Sequence, residues 1–317
     1  MRLKTIVTVT DFSAQAEHSL DRAALLARAH QAQLRVVYGA EVPSAKFADP
    51  FARLEQRCRQ LARRHGIVTQ AVSGSGDLLK DALTLARGAD LLVLDRRLHR
   101  AWPQFWRGST IDQIISRSSC PVLVVQQPPQ GEYAQILVAV DFSEMSRSLV
   151  RYASGFETGA ALELFHAMDT RNKARVRCAK ATSSIVRAYR RLALKHAQDR
   201  LFRVTDSFDA RRNRVGTLRG RKGPVGQITV QQESSHADLV VVGKSRPPLL
   251  ANWLAGSMAH ELVAGLDCDV LVVPHDYHAP GPEKGREKSL DKGLDKCSDK
   301  GASPHPQQPA MGPGAMA

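Results

Sequence analysis

Short apolar runs recur along the chain: Thr5–Thr10, Ile136–Val140, and two with no polar alternation, Leu239–Val242 ending on Gly243 and Val270–Val273. Such runs are expected of strands covered on both faces, as in a parallel sheet flanked by helices. Between the runs the apolar residues change to helical spacing. Ala16, Leu20, Ala23 and Ala27 follow the first run, and Leu149, Tyr152, Ala153 and Phe156 follow its counterpart, with Ser13 and Ser143 placed as N-caps. The pattern continues with a second strand (Leu34–Tyr38; Leu162–His166) and a long polar helix (Pro50–His65; Ser184–Arg203). A weaker third strand (Ile67–Val72; Val215–Leu218) and a short helix (Leu78–Arg87; Val225–Ser235) follow. A fourth strand, a last helix and a fifth strand close each unit. Alternating strands and helices predict right-handed crossovers and an open parallel sheet that binds ligands at its carboxyl edge. Asp11, Asp141, Gly243 and Gly256 are all expected at that edge.

The unit occurs twice. Asp-Phe-Ser follows the first strand at Asp11 and again at Asp141, an offset of 130 residues, whereas Asp90 and Asp238, Gly108-Ser109 and Gly256-Ser257, and Cys120 and Cys268 match at an offset of 148. Similarity at both ends of each half predicts a tandem duplication, with 18 extra residues in the second copy between Asp141 and Asp238. The expected domains are 1–127 and 133–275. From 277 to 317 the chain is Gly, Pro and alternating charge, a composition that predicts a disordered tail.

Candidate chemistry gathers in Ala237–Val273. A glycine closing a strand and Gly256-Ser257 opening the next helix bring backbone N–H groups and a hydroxyl to one strand end, where the helix dipole also favours an anion. The plainer uses of these residues stand beside this one. Gly256-Ser257 and Gly108-Ser109 also suit helix caps, and Asp11 and Asp141 suit turn caps after the first strand. Cys120 and Cys268 suit a buried core, and His275 and His278, flanking an Asp, are a weak metal candidate.

Charge changes the picture in one place. The net charge is +14, and Thr170–Lys222 alone holds 17 basic residues against three acids, so the basicity is local to the second copy. That segment suits a solvated helix, an acidic partner or salt-dependent, nonspecific nucleic-acid association, and no base-reading motif accompanies it. No apolar run approaches the roughly 20 residues of a membrane span. Five scattered cysteines and an amino terminus without a signal-peptide pattern lead us to expect a cytoplasmic protein.

A first strand ending in Asp, and Gly-x₂-Gly-x₉-Gly-Ser after the fourth strand, resembles the universal stress protein family in its tandem form. The resemblance covers about residues 1–275. It implies two adenine-nucleotide alpha-hydrolase-like (Rossmann-like) α/β domains, each an open five-stranded parallel sheet flanked by helices. It also implies dimer-like pairing of the two, and ATP, with Mg²⁺, bound or absent according to the motif. In the second half the matching positions are Asp141, Gly243, Gly256 and Ser257, with Arg246 in place of the middle glycine. In the first half they are Asp11, Asp95, Leu98, Gly108 and Ser109, and the carboxylate of Asp95 repels an anion where the family has glycine.

The reading that follows is a regulatory protein of the stress response, not an enzyme, that binds ATP in the second domain or not at all. Weak ATPase activity stays open, with Asp141 the candidate base. The alternative is a scaffold with both pockets degenerate that acts through residues 170–222. The expected partners are a protein that the sequence does not identify and the chain's own second domain in a pseudo-dimer. A homodimer and nucleic acid remain open.

Overall fold

The computed structural model describes residues 1–39, 49–96, 109–143, 145–167, 199, 213–216, 223–244, 258–275 and 277. The first half runs β1 (Thr5–Thr10), α1 (Ala14–His30), β2 (Gln33–Tyr38), α2 (Pro50–His65), β3 (Thr69–Val72), α3 (Leu78–Ala86), β4 (Leu91–Asp95), α4 (Thr110–Arg117) and β5 (Val122–Val125). The second runs β6 (Gln135–Ala139), α5 (Met145–Phe156), β7 (Ala161–Phe165), β8 (Asn213–Gly216), α6 (Pro224–Ser235), β9 (Leu239–Gly243), α7 (Met258–Gly265) and β10 (Asp269–Val273). The expected helix Ser184–Arg203 apart from residue 199, nearly all of the basic segment and the tail beyond Tyr277 lie outside the described residues.

Local chemistry accounts for the helix starts. Ser13 caps α1 by accepting from the Ala16 N–H (3.2 Å), Asp49 caps α2 ahead of Pro50, and Asp77 caps α3. Gly66, in the left-handed region at φ 65°, stops α2. The third strand begins at Thr69, later than the sequence pattern suggests: Val68 is 66% exposed and joins the sheet only through its carbonyl, which accepts from the Leu34 N–H (2.9 Å).

Each half is a parallel sheet, in the order β3-β2-β1-β4-β5 and β8-β7-β6-β9-β10. The halves join edge to edge: β5 pairs antiparallel with β10, Val122 opposite Val272 and Val124 opposite Val270, so that ten strands form one sheet. Strands β4, β5 and β10 are buried along their whole length, as the uninterrupted apolar runs imply. One face of the sheet carries α1, α2 and α5 over Ile6, Val93, Val138 and Leu271; the other carries α3, α4, α6 and α7 over Val7, Leu92, Val240 and Val272. Both cores cross the seam, and residues 1–279 form one compact unit.

The duplication is visible in matched polar contacts. The Asp90 carboxylate accepts from the N–H groups of Lys4 and Thr5, and Asp238 accepts in the same way from Ala134 and Gln135, so each aspartate fixes the first strand of its domain. Contacts at the seam have diverged. Asp269 at the start of β10 accepts from the Gln126 N–H (2.8 Å) and the Tyr133 hydroxyl (2.6 Å) and lies 3.5 Å from the buried Arg22 guanidinium, which stacks 3.9 Å over the Tyr133 ring. Burial pushes the Asp269 carboxyl upward, and these donors oppose it. Tyr152 stands in α5 where α1 has Arg22, and packs edge-on against Tyr277 (5.5 Å).

Asp269→Ala is expected to destabilise the protein by roughly 3 kcal/mol, because it strands the buried guanidinium and the Tyr133 hydroxyl. Urea unfolding followed by circular dichroism measures this, and an unchanged midpoint would contradict the role given to the cluster.

Candidate functional site

The Asp-Phe-Ser turn has the same shape in both halves. The side-chain Oδ1 of Asp11 accepts from the Ser13 N–H, and that of Asp141 from the Ser143 N–H, at 2.9 Å in each case. The turn forces Phe12 and Phe142 to φ 61°, a left-handed conformation that aromatic residues rarely adopt. Ring packing at the end of the second strand holds them there: Phe12 stacks on Tyr38 (5.1 Å) and Phe142 on His166 (4.2 Å). Both aspartates therefore have the turn-forming use considered from sequence.

Asp141 has a second environment as well. It is on the wall of a cavity of about 410 Å³ whose lining includes Ser146, His166, Gly243, Lys244 and His275. Strands β6 and β9 are neighbours with Ala139 opposite Val242, and the cavity opens at their carboxyl ends. This is the point at which the chain order of the sheet reverses, where open α/β sheets bind ligands. Partial burial opposes ionisation of Asp141, but hydrogen bonds from Ser143 and from the Ser146 hydroxyl (3.1 Å) prevail and hold the carboxyl below its usual range. At Gly243 a Cβ would stand 3.2 Å from Met145 Sδ, so the absent side chain lets α5 pack closely on the end of β9. His166 is anchored through Nδ1 to the Val140 carbonyl (2.8 Å).

The structure thus brings Asp141 and Gly243 to one cavity. Arg246, Gly256 and Ser257 lie outside the described residues, although Met258, next in the chain after Ser257, lines the same cavity. His166 and Lys244 were not singled out from sequence. The available signal was positional: Lys244 corresponds to Arg96 at the 148-residue offset, and His166 to Tyr38 beside the matched phenylalanine.

The first domain is built differently. Asp95, in the position of Gly243, is only 6% exposed at the end of β4. A Cβ at Gly39 would fall 2.5 Å from Leu78 Cδ1, so Leu78 closes down on the end of β2. Ser109 serves as the N-cap of α4 in a capping box with Asp112, the structural use considered for it from sequence. Gly108 lies outside the described residues.

A family model described as "Universal stress protein family" matches residues 2–126 and, separately, residues 132–274. The chain belongs to the universal stress protein family. A universal stress protein from Thermus aquaticus, named for the 3' region of a QAH/OAS sulfhydrylase, is 29% identical over 136 residues, covering 39% of this chain and 98% of that protein. Among solved structures, a Pseudomonas aeruginosa protein of unknown function superposes with a TM-score of 0.58 at 18% identity, covering 86% of this chain and 92% of its own. A universal stress protein from Archaeoglobus fulgidus gives 0.56 at 14% identity, covering 85% and 96%. At these identities the structures speak for the fold, here that of the tandem pair.

In this universal stress protein the first turns of α4 and α7 meet across the seam. His260 Nδ1 bonds to Asp112 Oδ1, and the two residues are exact counterparts at the 148-residue offset. The bond to Asp112 raises the His260 pKa against the effect of burial. Burial works against ionisation of Asp112, yet His260 and Ser109 together hold its pKa low. The signs are opposite. The histidine contribution is complete below its unfolded value of about 6.5 and is lost as pH rises through the raised folded value; the aspartate contribution holds above about 3.9 and is lost as pH falls through its lowered value.

Wild-type protein is therefore expected to lose on the order of 1 kcal/mol between pH 6 and pH 9, the pair being partly exposed and screened, and His260→Ala to lose less. Urea midpoints at the two pH values check this, and parallel losses in both proteins would contradict it.

Proposed function

We propose that this universal stress protein is a nucleotide-responsive regulator that takes ATP into its second domain and none into its first. The observation that carries the reading is the cavity at the carboxyl ends of β6 and β9, lined by Asp141, Gly243 and Lys244. Its volume of about 410 Å³ falls within the range of small-molecule sites. The degenerate first copy supports the asymmetry: Asp95 buries a carboxylate where Gly243 stands, and Leu78 fills space beside Gly39. A nucleotide brings its own Mg²⁺, and Asp141 is the carboxylate at the cavity that could share it.

Binding without turnover suits the chemistry of Asp141. Its hydrogen bonds from Ser143 and Ser146 stabilise the ionised form and leave it a weak base. A cytoplasmic setting accords with the buried free thiols of Cys58 and Cys120, pushed up to about 11 by burial, and of Cys268, pushed up to about 12. Among the described residues no helix is long and apolar enough to cross a membrane.

Calorimetric titration with Mg-ATP is expected to give one site per chain. Gly243→Asp, which copies the first domain's carboxylate into the second, should weaken it at least tenfold. No heat at millimolar ATP, or an unaffected variant, would overturn the reading. Phosphate release from ATP is expected to stay at background, and turnover that disappears in Asp141→Ala would instead make the protein an enzyme.

A further inference from the structure

Lys244 faces two ways. Its backbone N–H donates to the Val273 carbonyl at the end of β10 (2.8 Å), which fixes the residue at the cavity rim. Its ammonium donates to the Ser116 carbonyl, in the last turn of α4 and therefore in the other domain. A cation there meets the negative end of the helix dipole and a carbonyl that the helix itself leaves unsatisfied.

Its counterpart makes the matching reach in the opposite direction. Arg96 follows Asp95 as Lys244 follows Gly243, and its guanidinium lies 3.6 Å from Asp267, just beyond the end of α7. Each domain thus extends a cation from the end of its fourth strand to the carboxyl end of the other domain's last helix. These two contacts differ in kind. Arg96 meets a carboxylate, and the buried carboxylate of Asp95 precedes it in the chain. Lys244 meets a neutral carbonyl and borders a cavity. A charged phosphate oxygen adds ion-pair attraction to the hydrogen bond it accepts from an ammonium, which the neutral Ser116 carbonyl does not, so an anion in that cavity competes with Ser116.

We propose that Lys244 is the side chain that an anionic ligand recruits in the second domain, and that its recruitment releases the carboxyl end of α4 in the first. The inference rests on the nucleotide reading above and adds to it a route by which occupancy of one domain is felt in the other. No large movement is required. One ammonium changes partner, the last turn of α4 loses its cap, and Ser118, whose N–H closes that turn on the Ile114 carbonyl (2.8 Å), becomes easier to open. Because coupling is reciprocal, whatever loosens that turn also favours the ligand.

The test compares wild type with Lys244→Met, which keeps the apolar stem, and Lys244→Arg, which keeps the charge. It uses Mg-ATP calorimetry and amide hydrogen exchange with and without Mg-ATP. Lys244→Met is expected to weaken ATP binding about tenfold and Lys244→Arg less than threefold. ATP should accelerate exchange at residues 116–118 of wild type and leave those amides unchanged in Lys244→Met, while β9 and β10 stay protected in every protein. A Lys244→Met variant that binds ATP as wild type does, or a wild type whose 116–118 amides ignore ATP, overturns this inference and leaves the nucleotide reading standing. A wild type that binds no ATP overturns both.

Discussion

Val122 opposite Val272, Leu123 opposite Leu271 and Val124 opposite Val270 are the backbone pairs through which two parallel sheets become one. An unpaired edge of buried Val and Leu invites association with any other exposed strand. Here each copy of the duplicated unit covers the edge of the other, and both hydrophobic cores run through the seam. The antiparallel join also sets the pseudo-twofold relation that brings α4 against α7 and lets Arg22 of α1 reach Asp269 of β10. In a symmetric dimer a residue near the axis meets its own kind, and a carboxylate facing a carboxylate repels. Within one chain the two positions are free to differ. Asp112 meets His260 at matched positions, a contact two identical copies cannot make, and the cluster of Arg22, Tyr133 and Asp269 is one-sided.

Much of this organisation is legible in the sequence because it rests on local signals. Apolar runs mark strands that are buried on both faces, and the offsets of 130 and 148 mark two copies. Ser13 and Ser109 read as caps, and the structure uses them as caps. What escaped depends on register between distant segments. Edge pairing of β5 with β10 is made by backbone groups common to every residue, so nothing in the side chains announces it. Asp112 and His260 stand at the expected offset, but their meeting follows only once that join is known. The same holds for Lys244, whose partner Ser116 is 128 residues away. At the candidate site, Asp141 and Gly243 came from the motif, whereas His166 reached the cavity wall through the parallel pairing of β6 with β7.

The two halves share a scaffold and differ at their carboxyl edges. The turn at Asp11 repeats at Asp141 down to the left-handed phenylalanine, so the turn alone does not distinguish a binding domain from a degenerate one. The difference lies in what surrounds it. Asp95 and Leu78 occupy the edge in the first domain, and in the second Gly243 and Lys244 line a cavity. The first domain supplies α4, whose two ends receive His260 and Lys244 from the second.

The central claim is one nucleotide per chain, held at the carboxyl edge of the second domain. A crystal structure of the protein grown with Mg²⁺ and a non-hydrolysable ATP analogue tests it most directly. The account requires density for one nucleotide between the ends of β6 and β9, with phosphates beside Gly243 and Lys244 and none at the Asp11 edge. Nucleotide bound against Asp11 and Asp95, or equal occupancy of both domains, would contradict it.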